Sequence, residues 1–284
     1  MSLLDRSLAI GPFGLSLERW LLIAAALIAL LVGGLLGRRR RVAVGDALLT
    51  ALVVGLIAAR LAFVLRYSGQ FEGFVAMLDI RDGGFRPLAG LLGAGAFLAW
   101  RAWRWPVTRR PLAGAVLAGG LVWTGLAGSL QLIGTTSRPL PEVAMTTLAG
   151  EPISLPTFAK PRGRPMVVNL WASWCPPCRR EMPVLAAAQR RHGDIDFVFA
   201  NQGENRARVE DFLATEGLGG LRHVWLDRPG QLGRTTGAQV MPTTLFYSAG
   251  GRLVDSHVGE LSRASLTPYL ERLTTAPTST DTRG

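Results

Sequence analysis

Both cysteines of this 284-residue chain lie in one short run, Trp171-Ala172-Ser173-Trp174-Cys175-Pro176-Pro177-Cys178. The apolar stretch Met166 to Leu170 precedes them and a helix-like stretch follows, so a strand delivers the pair to a helix N-terminus. That spacing suits thiol–disulfide exchange. A thiolate at Cys175 attacks a substrate disulfide, and Cys178, one turn later, resolves the mixed disulfide. Free backbone N–H groups and the helix dipole favour the thiolate at the helix start. Pro176 and Pro177 carry no N–H, which leaves the Cys178 amide as the local donor to the Cys175 sulfur. The redox poise does not follow from the motif alone.

Two other uses of the cysteines fit less well. A structural zinc needs four ligands, and His192, His223 and His257 are scattered without metal spacing, so no metal is expected. A crosslink stabilises less as its loop shortens, and this loop is about as short as possible. The expectation is a redox-active Cys175–Cys178 disulfide and no further cofactor.

The formal charge of +11 together with 49% hydrophobic residues fits a nucleic-acid binder or a membrane protein. The arginines flank long apolar runs, and no helix pairs basic residues with stacking aromatics on one face, so nucleic acid is excluded. The runs are Trp20 to Leu36, Ala47 to Leu65, Pro87 to Trp100 and Pro111 to Ile133. Three approach the roughly 20 residues that cross a bilayer, and the third is short and relies on its Arg and Trp flanks. About four transmembrane helices are expected. Arg38 to Arg41 lie between the first two runs, and Arg101, Arg104, Arg109 and Arg110 between the last two. Basic loops stay in the cytoplasm, so both chain ends face an oxidising compartment. No cleavable signal peptide is read, because the first run is long, lacks a basic lead and ends in an arginine cluster.

Gly134 to Pro141 is a polar, proline-bearing linker. The reading is therefore a transmembrane anchor region at 1–136, an independent domain at 137–275 and a disordered tail at 276–284. In the domain, Val143 to Met145 and Ile153 to Leu155 read as a leading hairpin. Pro165 to Ala172 reads as a buried strand, Pro176 to Arg191 as a helix and Asp196 to Ala200 as a strand. Arg206 to Thr215 reads as a helix, His223 to Leu226 as a strand and Gln231 to Thr236 as a short helix. Thr243 to Tyr247 and Arg252 to Val258 form a hairpin across Ser248 to Gly251, and Arg263 to Leu273 closes as a helix. This order predicts an α/β domain with a mixed sheet and helices on both faces, following an α-helical membrane region.

Asn169-Leu-Trp-Ala-Ser-Trp-Cys-Pro-Pro-Cys-Arg-Arg-Glu-Met-Pro183 and the loop Met241-Pro242-Thr243-Thr244 resemble the membrane-anchored TlpA/ResA/DsbE-like branch of the thioredoxin family. The likeness covers roughly Leu140 to Leu273. It implies a thioredoxin fold, a protein thiol:disulfide oxidoreductase acting as a reductase, and a cis peptide before Pro242 packed against the cysteines. A trans proline in an ordinary turn is the alternative. Trp174, Met241, Pro242 and Thr243 would meet substrate, with Trp174 shielding the disulfide, and Trp171 is the better core tryptophan. Glu181 lies one turn beyond Cys178 and could exchange its proton if buried, as reductases of this branch carry a glutamate there. The alternative is a solvated Glu181 balancing Arg179 and Arg180. Cytoplasmic thioredoxin has a buried aspartate where this chain has Asn169, whose amide cannot take a proton, so that task falls to Glu181 or water. Resemblance further implies periplasmic disulfide-bearing protein substrates, such as apocytochrome c in cytochrome c maturation or copper-site assembly proteins. A DsbD-like membrane electron donor would recharge the site at the bacterial inner membrane.

In the first half, Gly55 to Leu65 and Asp82 to Gly90 resemble the amino-terminal spans of prolipoprotein diacylglyceryl transferase. Leu88 stands where that family has a histidine before paired glycines, so a truncated, degenerate anchor in membrane lipid is the expected use. Arg60 lies inside a span and is either a functional charge or one that snorkels to the interface. A copper-binding assembly chaperone using Cys175 and Cys178 is the alternative function, with Met182 and Met241 as the nearby sulfur donors.

Overall fold

A computed structural model describes residues 7–10, 13–40, 42–71, 73–134 and 139–275. The chain divides into two compact units, one of residues 18–133 and one containing residues 134–284. Strands β1 (Ser7–Ile10) and β2 (Phe13–Ser16), which the sequence pattern had not marked, pair antiparallel.

The first unit holds helices α1 (Leu17–Arg40), α2 (Val44–Arg66), the short α3 (Phe74–Leu78), α4 (Pro87–Arg104) and α5 (Arg109–Gly134). Each long apolar run is helical. Two segments, Trp20–Arg38 and Val44–Arg66, are long and apolar enough to cross a membrane by length and composition. Small residues stand at the closest approaches between helices. Carbonyl oxygens and alanines leave a Cβ at Gly55 or Gly90 only 3.0 Å from the opposing backbone, and Gly119 packs on Ala25 and Ala29. Large side chains such as Leu31, Leu35, Leu56, Leu92 and Leu121 are exposed instead. Leu48 and Leu112 are buried with Val44, Ala47 and Ala115, so the unit also has an apolar cluster of larger side chains. Arg60 is buried, and its guanidinium is taken up by the segment after α2.

The second unit is a thioredoxin fold. Its sheet contains β3 (Met145–Thr147), β4 (Pro152–Ile153), β5 (Met166–Trp171), β6 (Asp196–Gln202), β7 (Val224–Asp227), β8 (Thr243–Tyr247) and β9 (Leu253–Val258), in the order β4-β3-β7-β6-β5-β8-β9. β5, β6 and β7 are parallel, and β8, β9, β3 and β4 join antiparallel, giving a mixed sheet. Successive residues of a strand point to opposite faces. Val167, Trp171, Phe197, Phe199 and Phe246 therefore meet one face, covered by α7 (Pro176–Arg191), α8 (Arg206–Thr215) and α10 (Arg263–Thr275). Val168, Leu170, Val198, Trp225 and Leu245 meet the other, covered by α6 (Leu155–Ala159) and α9 (Gln231–Thr236). The leading hairpin is shifted along the chain from its expected place. Leu155 starts α6, because Ser154 caps that helix by accepting from the Thr157 N–H and Pro156 suits a first turn.

α9 depends on one side chain. Asp227, fully buried at the end of β7, accepts from Gln231 N at 2.9 Å and Leu232 N at 2.7 Å. Asp227→Ala strands both amides, so we expect a loss of about 2–3 kcal/mol in urea unfolding of residues 137–275, with the slope unchanged. A loss below about 0.5 kcal/mol, the range of a neutral surface change, would contradict this account.

Candidate active site

β5 ends at Trp171 and the chain turns through Ala172, Ser173 and Trp174 before α7 begins at Pro176. Cys175 occupies the N-cap position, where Pro176 and Pro177 satisfy a first turn that lacks N–H donors. The Cys178 amide donates to Cys175 Sγ at 3.3 Å, as the spacing predicts, and the two cysteines form a disulfide. Cys175 is 4% exposed and Cys178 is wholly buried, whereas the Trp174 side chain is 62% exposed. Trp171 belongs to the core and is tilted against Phe212 at 5.2 Å between ring centres. α7 runs through Pro183 to Arg191.

Glu181 is inside the protein. Arg179 and Arg180, its sequence neighbours, pair elsewhere, with Glu216 and Glu260. The Glu181 carboxylate accepts from Asn169 Nδ2 at 2.7 Å through Oε1 and from the Leu261 N–H at 3.0 Å through Oε2. Alternation along β5 puts Asn169 on the α7 face, where its amide also donates to Thr244 Oγ1 at 3.0 Å. Asn169 Oδ1 is buried without a hydrogen-bond partner among the described residues. Burial is the main influence on Glu181. Desolvation of the charged form pushes its carboxyl up from 4.5 to about 8, outweighing the hydrogen bonds from Asn169 and Leu261, which pull it down.

The peptide Met241-Pro242 is cis, and the Pro242 carbonyl accepts from Gly259 N at 2.9 Å. Met241 packs on the same apolar cluster that contains Cys175, Cys178, Trp171 and Met182. Thr243 is buried, with its hydroxyl donated back to Val240 O at 2.6 Å. The structure thus gathers Cys175, Cys178 and Met241 at one cluster, sets Glu181 one turn along α7, leaves Trp174 standing out and turns Thr243 inward.

A further carboxylate braces the site. Glu204, buried after β6, accepts from Ser173 N at 2.7 Å, Ser173 Oγ at 2.5 Å and Asn201 Nδ2 at 2.7 Å. It holds the turn two residues ahead of Cys175. The available signal was topological: parallel neighbours β5 and β6 end side by side, so residues just past β6 lie beside the turn that follows β5.

Residues 135–270 match the Redoxin family model. The thiol-disulfide oxidoreductase ResA of Bacillus thuringiensis is 26% identical over 139 residues, covering 48% of this chain and 78% of the relative. The sporulation thiol-disulfide oxidoreductase A of Bacillus subtilis is 26% identical over 132 residues, covering 45% of this chain and 76% of the relative. The thioredoxin-like protein YneN of Bacillus subtilis is 28% identical over 137 residues, covering 46% and 76%. The crystal structure of StoA from Bacillus subtilis aligns with 46% of this chain and 99% of that one at 26% identity and a TM-score of 0.39. The domain that carries the Cys175–Cys178 disulfide has the site of a thiol:disulfide oxidoreductase and is similar to ResA.

Proposed function

We propose that the protein is a membrane-anchored disulfide reductase whose thioredoxin domain faces the periplasm. The observation that carries this reading is the buried Glu181 carboxyl behind the cysteine pair, whose proton affinity near 8 approaches that of a thiol. In the reduced enzyme, Cys175 attacks one sulfur of a substrate disulfide, and the other substrate sulfur leaves as a thiolate that takes up a proton. Cys178 gives its proton to water, or to Glu181 in the fraction of molecules whose carboxyl is ionised, and attacks Cys175 Sγ. The Cys175–Cys178 bond forms, and the second substrate sulfur departs as a thiol after protonation. Two electrons pass from the enzyme to the substrate, and a DsbD-like thiol donor returns them through the reverse exchange.

Substrate binding uses the exposed Trp174 and the loop Met241-Pro242-Thr243, whose backbone an extended chain can pair with. Four helices, α1, α2, α4 and α5, cross the inner membrane, with the arginines at 38–41 and 101–110 on the cytoplasmic side. The membrane unit is an anchor rather than a lipid transferase, since Leu88 stands where the transferase family has histidine. It carries no cysteine, so electrons enter from a separate protein.

Three measurements test this reading. The reduction potential of residues 137–275 should fall near the about −270 mV of thioredoxin, and a value near the about −120 mV of DsbA would reverse the direction. Cys178→Ser should accumulate mixed disulfides through Cys175 in membranes, and their absence would remove Cys175 as the attacking sulfur. Glu181 sets a pH signature. The folded domain keeps a proton there up to about pH 8, while the unfolded chain releases it near 4.5. Stability from this group is whole below about pH 4.5, falls by about 1.4 kcal/mol per unit as pH rises, and levels off above about 8. Urea titrations of the oxidised domain between pH 5 and 8 should show this slope, and Glu181→Gln should flatten it. An identical slope in both proteins would exclude the buried carboxyl as the source.

A further inference from the structure

The segment joining α2 to α4 folds back along α2. Arg86 N donates to Ala59 O at 3.1 Å, so the start of α4 is level with residue 59. The Arg60 guanidinium gathers the rest of the segment. Its Nε donates to Met77 O at 3.1 Å, Nη1 to Gly84 O at 2.8 Å and Nη2 to Asp79 O at 2.5 Å. Nη1 also meets Asp82 Oδ1 at 3.0 Å, and that oxygen accepts from Gly84 N at 3.1 Å. Gly84 lies so close to Phe63 that a Cβ there would fall 2.3 Å from the ring. Phe71 and Phe85 add their rings around the guanidinium, at 5.7 and 5.9 Å.

These contacts fix a depth. α2 has 23 residues, so it is about 35 Å long against a hydrocarbon core of about 30 Å, and its ends stand only about 2 Å clear on each side. Residues 59–63 lie roughly 5–10 Å below the Arg66 end, which puts them inside the outer leaflet. Non-helical backbone survives at that depth only where protein satisfies its polar groups, and Arg60 does so for three carbonyls and one carboxylate. α4 has 18 residues, about 27 Å, and the returning segment covers the height it leaves uncrossed. On the side away from Arg60, Phe74, Val75, Leu78 and Ile80 are between 61% and 81% exposed. Leu61 and Leu65 on α2 and Leu88 on α4 are exposed as well.

We infer that residues 73–86 form a re-entrant segment of the outer leaflet, folded around Arg60, that presents Phe74, Val75, Leu78 and Ile80 to phospholipid acyl chains. The inference rests on the proposed crossing of the membrane by α2 and α4. The exposed Arg81, ion-paired with Asp79 at 2.8 Å, extends its long side chain from the segment toward the headgroups.

Site-directed spin labelling of the full chain in phosphatidylcholine and phosphatidylglycerol vesicles tests it. In a Cys175→Ser, Cys178→Ser background, nitroxides are attached singly after Leu56→Cys, Ser68→Cys, Val75→Cys and Leu78→Cys. Collision rates are read with oxygen, which concentrates in lipid, and with a nickel chelate, which stays in water. Positions 75 and 78 should be rich in oxygen and several-fold poorer in nickel collisions than position 68, though shallower than position 56. Nickel collisions at 75 and 78 equal to those at 68, with 56 still in lipid, would overturn the inference and leave the membrane crossing intact. Nickel access at 56 would remove the crossing itself. Arg60→Lys cannot serve all the acceptors, so nickel collisions at 75 should rise several-fold, and an unchanged rate would refute the role given to Arg60.

Discussion

Register at β5 is the constraint on which the redox half depends. The strand is central, held by β6 in parallel on one side and β8 antiparallel on the other, so its side-chain alternation is fixed from both directions. With that parity, Val167, Asn169 and Trp171 face α7, while Met166, Val168 and Leu170 face the opposite core. A slip of one residue would exchange the two sets. The Asn169 amide would leave the Glu181 carboxylate, and Trp171 would leave Phe212. The geometry of the cysteine pair thus originates in backbone pairing well before the motif itself.

The motif and its strand were readable because their signals are local. An unbroken apolar run marks a buried strand, two prolines mark a helix start, and Ser248 to Gly251 marks a hairpin. The role of Asn169 as a neutral residue where thioredoxin has an acid was also visible, and so was the turn-by-turn position of Glu181 on α7. Its burial was not, because that is decided by the loop before α10, which lies 80 residues away in sequence and supplies the Leu261 N–H. Glu204 went unseen for the same reason, since only the parallel pairing of β5 and β6 brings it to Ser173. α6 escaped because five residues carry too little periodicity to separate it from the preceding strand.

The two units use apolar residues differently. In the thioredoxin domain, the large side chains Trp171, Phe197, Phe199 and Phe246 are interior, and each is worth about 1.5–3 kcal/mol on leaving water. In the helical unit, Gly55 and Ala51 are interior beside Leu48 and Leu112, while many other leucines, such as Leu31, Leu56 and Leu121, are exposed. Close backbone approach at Gly55 and Gly90 adds dispersion contacts between the helices. Arg60 is consistent with that economy, since a guanidinium with five donors organises more irregular backbone than any other side chain.

Exposure at the cysteines has a consequence of its own. Cys175 is nearly covered, Cys178 is wholly covered, and Trp174 projects into solvent. A sulfur arriving from solvent meets Cys175 first, because Cys178 has no surface to offer. The covering alone thereby sets an order in time: exchange with anything outside begins at the first cysteine, and the second is reserved for its neighbour.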